Sequence, residues 1–410
     1  MTVVVLGAGH GGVQVAASLR SEGHRGPVVL LDAQEHLPYH RPQLSKEYLG
    51  PGAGQPQLLR SASFFADQDI DLRLGTAAVA LHPARRRVEL HDGGALAYTH
   101  LVLALGSTLR RLRVPGGHLD GVTQAATLAD AAALRERLGT ARDVVVVGGG
   151  FLGLEIAAAC AGSGLPVTVV EPQDRLLARA VTPAVSAAVR RTHEAAGTVL
   201  RLGVGVASFT GRDGRVRGVV LSDGAELPAD LVVVAVGAVA NSGIAAAAGL
   251  AVDNGVLVDP WLRSSVPEIV AVGDCVARPD RELGAPRRIE CVQNAIDQAR
   301  HVASSITHGP GEPYDRTPWF WTHQLGLRVQ TVGLGFPGDE CVVVGDPDGD
   351  GFSVCRFHRG RLVAVESVNR PRDHMAARRL LAGGVLPGPA AVRSAGFDLK
   401  EHELATRGAA

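Results

Sequence analysis

The sequence predicts an α/β protein: two copies of one strand–glycine turn–helix–strand unit on parallel sheets, then a C-terminal α+β segment with an antiparallel sheet. Three observations predict it. Val3–Leu6 is an apolar run leading into Gly7, Gly9 and Gly12 in the spacing G-x-G-x-x-G. A helical pattern starts at about Gly11, and a second apolar run, Val28–Leu31, ends on Asp32, twenty residues after Gly12. The order then recurs as Val144–Val147, Gly148, Gly150 and Gly153, a helix through about Cys160, and Val167–Val170 ending on Glu171, eighteen residues after Gly153. Beyond residue 317 the pattern changes to alternating runs, Cys341–Gly345, Phe352–His358 and Leu362–Ser367, divided by turn signals, and Pro371 opens a helix through about Leu381.

Each unit has the parts of a Rossmann-like dinucleotide cradle. The first glycine permits a tight turn, the second lets backbone approach a pyrophosphate, and the third lets helix and strand pack closely. The helix N-terminus offers free N–H groups to the phosphates. Two complete units on one chain are far more specific than one. No arginine follows Glu171 in the run Glu171-Pro172-Gln173. A carboxylate there accepts from both ribose hydroxyls and repels a 2′-phosphate, which favours NADH over NADPH.

Between and after these units, Leu58–Asp67 reads as a short helix. Ile70–Gly75, Ala77–Leu81 and Arg87–His91 read as strands, the last two joined across His82–Arg86. Leu101–Leu105 is a buried parallel strand running into Gly106, residues 113–121 look like a crossover, and Leu231–Val236 into Gly237 repeats the strand-to-glycine pattern. Ile269–Val272 ends on Gly273-Asp274, where an acid suits either a ligand hydroxyl or a helix N-cap. Residues 289–303 read as a helix. The expected domains are 1–112 with 245–316, 113–244, and 317–410, with a tail after Gly383 rich enough in Gly, Pro and Ala to be partly disordered.

Composition excludes several classes. The formal charge is zero, so nucleic acid or an anionic membrane has no bulk electrostatic pull on this chain. No apolar run reaches the roughly 18–20 residues of a membrane span, and the N-terminus enters a strand without a basic n-region, so a cytoplasmic protein is expected. The five cysteines, Cys160, Cys275, Cys291, Cys341 and Cys355, form no close pair; zinc or iron–sulfur ligation is poorly supported, and each reads as a small buried apolar residue. Asp346, Asp348, Asp350 and Gly351 match the start of a calcium loop, but the twelfth position is Phe357 instead of a bidentate glutamate, so a hairpin turn is expected and no metal.

Of the 41 lysines and arginines only Lys46 and Lys400 are lysine. In a chain that otherwise uses guanidinium, an ammonium at Lys46 points to a compact charge with an adjustable pKa.

The segments GAGHGG, LPYHRPQLSK, GGGFLGLE, VGDC, IECVQNAIDQAR and PWFWTHQLGLRVQTVG resemble the FAD-containing NADH:ferredoxin reductases of the putidaredoxin, rubredoxin and dioxygenase type, over essentially residues 2–385. The resemblance implies a flavoprotein passing electrons from NADH through FAD, by hydride to flavin N5 and then single electrons. The acceptor would be a [2Fe–2S] ferredoxin or rubredoxin serving a cytochrome P450 or dioxygenase. It places FAD against Gly7, Gly9, Gly11, Gly12, Asp32, Ala33, Ala78, Ala104, Gly106 and Gly273, with Arg41 near the phosphates, Asp274 at the ribityl chain and the Val292 backbone at the pyrimidine edge. NADH falls to Gly148, Gly150, Phe151, Leu152, Gly153, Glu171, Arg179 and Gly237. Lys46 and Glu155 match the family's ion pair beside flavin N5, and Trp321 the tryptophan between the flavin edge and the partner's docking surface. Arg287, Arg288 and Arg300 are candidates for meeting an acidic ferredoxin.

Three positions depart from the family pattern. The acid after the second strand usually stands at Ala33, an arginine is replaced by Ala126, and His323 stands where an acid is usual. Other functions on related folds make different demands on the chain. An NADH oxidase or a disulfide reductase would use cysteines that residues 33–60 lack. A flavoprotein acting mainly by binding partners, like apoptosis-inducing factor, would be slow to reduce.

Overall fold

The apolar runs Val3–Leu6, Val28–Leu31 and Val144–Val147 are buried at every position, as strands covered on both faces must be. In the computed structural model, which describes residues 1–50, 52–280 and 282–407, they are central strands of two parallel sheets in an α/β protein. The chain divides into two units: residues 1–40, 57–108 and 238–318 form one, and 41–56, 109–237 and 319–410 the other.

The first unit carries a five-stranded parallel sheet in the order Ile269–Ala271, His100–Leu103, Val3–Leu6, Val28–Leu31, Ile70–Arg73. Val3 pairs with Val28 on one side and His100 on the other. Helix His10–Ser21 packs beside helix Val292–His308. The latter runs past the expected residue 303 because its apolar face continues through Ile306, and it stops at Gly309, whose φ is +93°. Ala78–His82 and Arg87–Leu90 pair as the expected hairpin. The short helix begins at Ala62 instead of Leu58, since Ser61 Oγ caps it by accepting from Phe64 N–H. Residues before it are drawn to a neighbour: Leu59 N–H donates to Pro38 O.

The second unit has its own parallel sheet, ordered Val199–Leu202, Val167–Glu171, Val144–Val147, Leu231–Val234, Val122–Thr123. It also holds an antiparallel five-stranded sheet: Trp319–Gln324, Leu327–Gly333, Arg361–Val368, Phe352–His358, Glu340–Gly345. The last three are the expected meander, and residues 346–351 are its hairpin turn, closing Gly345 onto Phe352. The first two are a hairpin that periodicity alone did not predict. Its two-residue turn is Leu325-Gly326, both at positive φ (50° and 81°). That is the backbone of a tight hairpin turn normally written Asn-Gly. Asp213-Gly214 closes a second unpredicted hairpin, Val206–Arg212 with Arg215–Leu221.

The tail after Gly383 carries two helices, Pro389–Val392 and Leu399–Thr406, and the latter packs on helix Pro371–Leu381. Residues 408–410 lie outside the described residues. Glu403, 4% exposed, holds the packing by ion pairs with Arg379, Lys400 and Arg407. Cys341 is exposed, on the edge strand Glu340–Gly345, whereas the other four cysteines are buried. Burial pushes Cys160 and Cys355 up to about 12 and Cys275 and Cys291 up to about 11.

Candidate functional site

The two glycine turns have the same construction. Gly7 and Gly148 sit at φ +99° and +116°, and a Cβ on either would strike a backbone carbonyl, Ala104 O at 2.4 Å and Ala235 O at 2.3 Å. A Cβ on Gly12 would lie 1.8 Å from Gly7 O, and one on Gly153 2.1 Å from Gly148 O. These four positions are glycine because the fold leaves no room. Gly9 and Gly150 differ, with nothing within 4 Å of an added Cβ. Each is also the N-cap of the following helix, with no side chain capping it and no acid in the first turn. Open space before an uncapped helix N-terminus suits a pyrophosphate.

The acids close the same circuit in both turns. Asp32 Oδ2 accepts from Ala8 N–H at 2.8 Å and Glu171 Oε2 from Gly149 N–H at 2.7 Å; their other oxygens accept from Gln34 and Gln173 N–H. Asp32 therefore takes the role at this turn that Glu171 takes at the other, and Ala33 follows it into the loop.

Other predicted residues of the first unit gather round the Gly7 turn. Gly11 approaches Val272 and Ala295, Gly273 approaches Ala295, and Gly273 N–H donates to Gln298 Oε1 at 2.7 Å. Asp274 accepts from Ser107 Oγ at 3.2 Å, beside Gly106. Cys291 Sγ caps the helix that Val292 opens, accepting from Asn294 N–H. Ala78 starts the strand after Thr76, whose N–H donates to Asp32 O.

In the second unit, Arg179 Nη2 lies 3.8 Å from where a Cβ on Gly237 would be, and Leu152 packs on the core. Arg41 is exposed at the start of the 3₁₀ turn Arg41–Ser45. The next residue, Lys46, places Nζ 2.8 Å from Glu155 Oε2, with side chains 16% and 6% exposed. Arg135 pins the following segment, its guanidinium 4.5 Å from the Tyr48 ring centroid and donating to Ala53 O. Three residues not singled out from the sequence complete this cluster. Ser45 Oγ donates to Glu155 Oε2 and Thr322 Oγ1 to Glu155 Oε1, each at 2.6 Å, and Gln324 Nε2 donates to Thr322 Oγ1 at 3.0 Å. The signal available for the last two was the alternation Phe320, Thr322, Gln324, which puts them on one strand face.

Trp321 lies on the other face, half-buried, with its ring 5.5 Å from that of Trp319. His323 shares that face and is exposed. Partial desolvation, Arg328 and Lys46 lower its pKa, so it is neutral near pH 7. Of the candidate docking arginines, Arg287 and Arg288 are turned inward, 14% and 11% exposed and paired with Asp280 and Glu290; Arg300 is exposed.

Residues 1–299 match the family of pyridine nucleotide-disulphide oxidoreductases, and residues 319–402 match a reductase C-terminal domain. The chain belongs to this family. It is similar to rhodocoxin reductase of Rhodococcus erythropolis, 42% identical over 98% of this chain and 94% of the relative. Among solved structures, the ferredoxin reductase for the CYP199A2 system from Rhodopseudomonas palustris superposes with a TM-score of 0.94 at 43% identity, covering 98% of this chain and 99% of that one. The covalent putidaredoxin reductase–putidaredoxin complex gives the same TM-score at 35% identity, covering 99% of each chain. Among the described residues no helix is long and apolar enough to cross a membrane.

Proposed function

We propose that this chain is an NADH-dependent, FAD-containing reductase that delivers electrons to a small iron–sulfur protein, a [2Fe–2S] ferredoxin or rubredoxin, serving a cytochrome P450 monooxygenase or a dioxygenase. The observation that carries it is the repeated cradle: two uncapped helix N-termini, each preceded by a glycine with open space and each closed by an acid. The kinship with rhodocoxin reductase and with the reductase of the putidaredoxin complex supports the acceptor class.

In this proposal residues 1–112 and 245–316 hold FAD, 113–244 hold NADH, and 317–410 carry the acceptor side. Gly7, Gly9, Gly11 and Gly12 take the FAD pyrophosphate, Asp32 the adenosine ribose and Asp274 the ribityl hydroxyls, with Arg41 near the phosphates and Val292 at the pyrimidine edge. Gly148, Gly150 and Gly153 take the NADH pyrophosphate. Glu171 accepts from both ribose hydroxyls and repels a 2′-phosphate. Arg179 and Gly237 flank this nucleotide, and Phe151 and Leu152 lie at its helix N-terminus. Bound flavin supplies a hydride acceptor that can also give up electrons singly. Lys46, balanced by Glu155, stabilises the negative charge the ring gains on reduction, and Trp321 lies toward the docking surface. The proposed setting is the cytoplasm, where NADH is regenerated.

The test is a stopped-flow trace on the purified holoprotein. Flavin bleaching by NADH within seconds, with cytochrome c reduction only when a ferredoxin or rubredoxin is added, is expected. A colourless protein that takes up no FAD overturns the proposal, and bleaching over many minutes favours a partner-binding role instead.

A further inference from the structure

Strand Trp319–Gln324 and helix Phe151–Gly162 meet in register. Phe320, Thr322 and Gln324 point to one side of the strand, and Phe151 and Glu155 share one face of the helix, a turn apart. The Phe320 and Phe151 rings lie 4.4 Å apart, and one strand step on, Thr322 reaches Glu155. A further step on, Gln324 Oε1 stands 2.9 Å from Nε2 of His193, at the end of helix Pro183–Ala195.

The direction of these bonds follows from what each group can do. A carboxylate only accepts, so the Thr322 hydroxyl spends its proton on Glu155 and must itself accept from the Gln324 amide nitrogen. That leaves the amide oxygen facing His193, whose proton must then sit on Nε2. His193 Nδ1 is buried without a hydrogen-bond partner, which suits a bare lone pair better than a stranded N–H. Glu155, Thr322, Gln324 and His193 are 6%, 1%, 5% and 0% exposed, so water does not compete along the chain.

We propose that Thr322, Gln324 and His193 are positioning residues for the Lys46–Glu155 pair: a one-way chain of donors that fixes the Glu155 rotamer opposite Lys46. This rests on the proposed place of Lys46 beside the flavin. Burial depresses the His193 pKa and so favours the neutral ring, whose single proton sits on Nε2.

Two experiments on the holoprotein test it. Histidine ¹⁵N NMR should show His193 protonated on Nε2, with no titration from about pH 6 to 8; a proton on Nδ1 alone overturns the chain, and this needs no variant. In stopped flow, Thr322→Val should lower the limiting rate of flavin reduction by roughly tenfold, the loss expected for one hydrogen bond to a charge. The NADH concentration for half-maximal rate should hardly change, and Thr322→Ser should restore the rate. Lys46→Met separates two kinds of failure. If it alters the flavin spectrum and reduction rate while Thr322→Val alters neither, the donor chain is wrong and the flavin site stands. If neither substitution has an effect, the flavin site is wrong and the chain falls with it.

Discussion

Lys46 Nζ lies 2.8 Å from Glu155 Oε2, joining a 3₁₀ turn of the RPQLSK segment to the helix behind the second glycine turn. Both groups are largely withdrawn from solvent, so neither is easily left alone. Lys46→Met or Glu155→Leu should each cost roughly 3–5 kcal/mol in denaturant unfolding. The double variant should recover much of that, since an apolar pair leaves no buried charge. Equal and additive losses would show that the two do not act as a pair.

The glycines divide by what they are needed for. Gly12→Ala should prevent FAD retention and lower Tm, because its Cβ meets a backbone carbonyl at 1.8 Å. Gly153→Ala meets one at 2.1 Å and should yield a yellow protein that NADH reduces poorly. Gly9→Ala has open space and should leave the apoprotein's Tm unchanged while weakening FAD binding. Titration of each apoprotein with FAD, followed by an NADH titration, separates the three.

His374 is 1% exposed, with neither ring nitrogen hydrogen-bonded, and burial, helped by Arg378, pushes its pKa down from 6.5 to about 4. The unfolded chain therefore takes up the proton first. Stability is unaffected above pH 6.5 and falls as pH drops from 6.5 toward about 4, by on the order of 2 kcal/mol after screening. His374→Leu sacrifices no hydrogen bond and should flatten that limb of a stability–pH profile measured in urea.

Glu403 has the opposite sign. Arg379 and Lys400 hold its carboxyl down at about 2, below its usual 4.5. Its contribution is complete above pH 4.5 and is lost as pH falls through about 2. Glu403→Gln should release helix Leu399–Thr406 at neutral pH, read as faster amide hydrogen exchange in that helix with the parallel sheets unchanged.

Much of this site was legible from residues alone. The glycine spacings placed both turns because the first and third glycine of each answer a local need, a positive φ or a close backbone approach, that no other residue meets. Lys46 stood out because arginine is used almost everywhere else. Thr322, Gln324 and Ser45 did not stand out, since small polar residues acquire meaning only from what packs against them. The hairpin carrying two of them was hidden by Leu325, a residue that rarely turns a chain at positive φ but is held there by the pairing of the strands on either side.

The sequence by itself determined the two parallel sheets, the positions of both glycine turns and the change of architecture after residue 317, because apolar periodicity and glycine sterics act over a few residues. Tertiary structure alone decided that Glu155 accepts from Ser45 and Thr322 as well as Lys46, that Arg287 and Arg288 face inward, and that the C-terminal tail is anchored through Glu403. Each of these depends on which charges and hydroxyls the fold brings within 3 Å, and residues distant in the chain carry no local trace of that meeting.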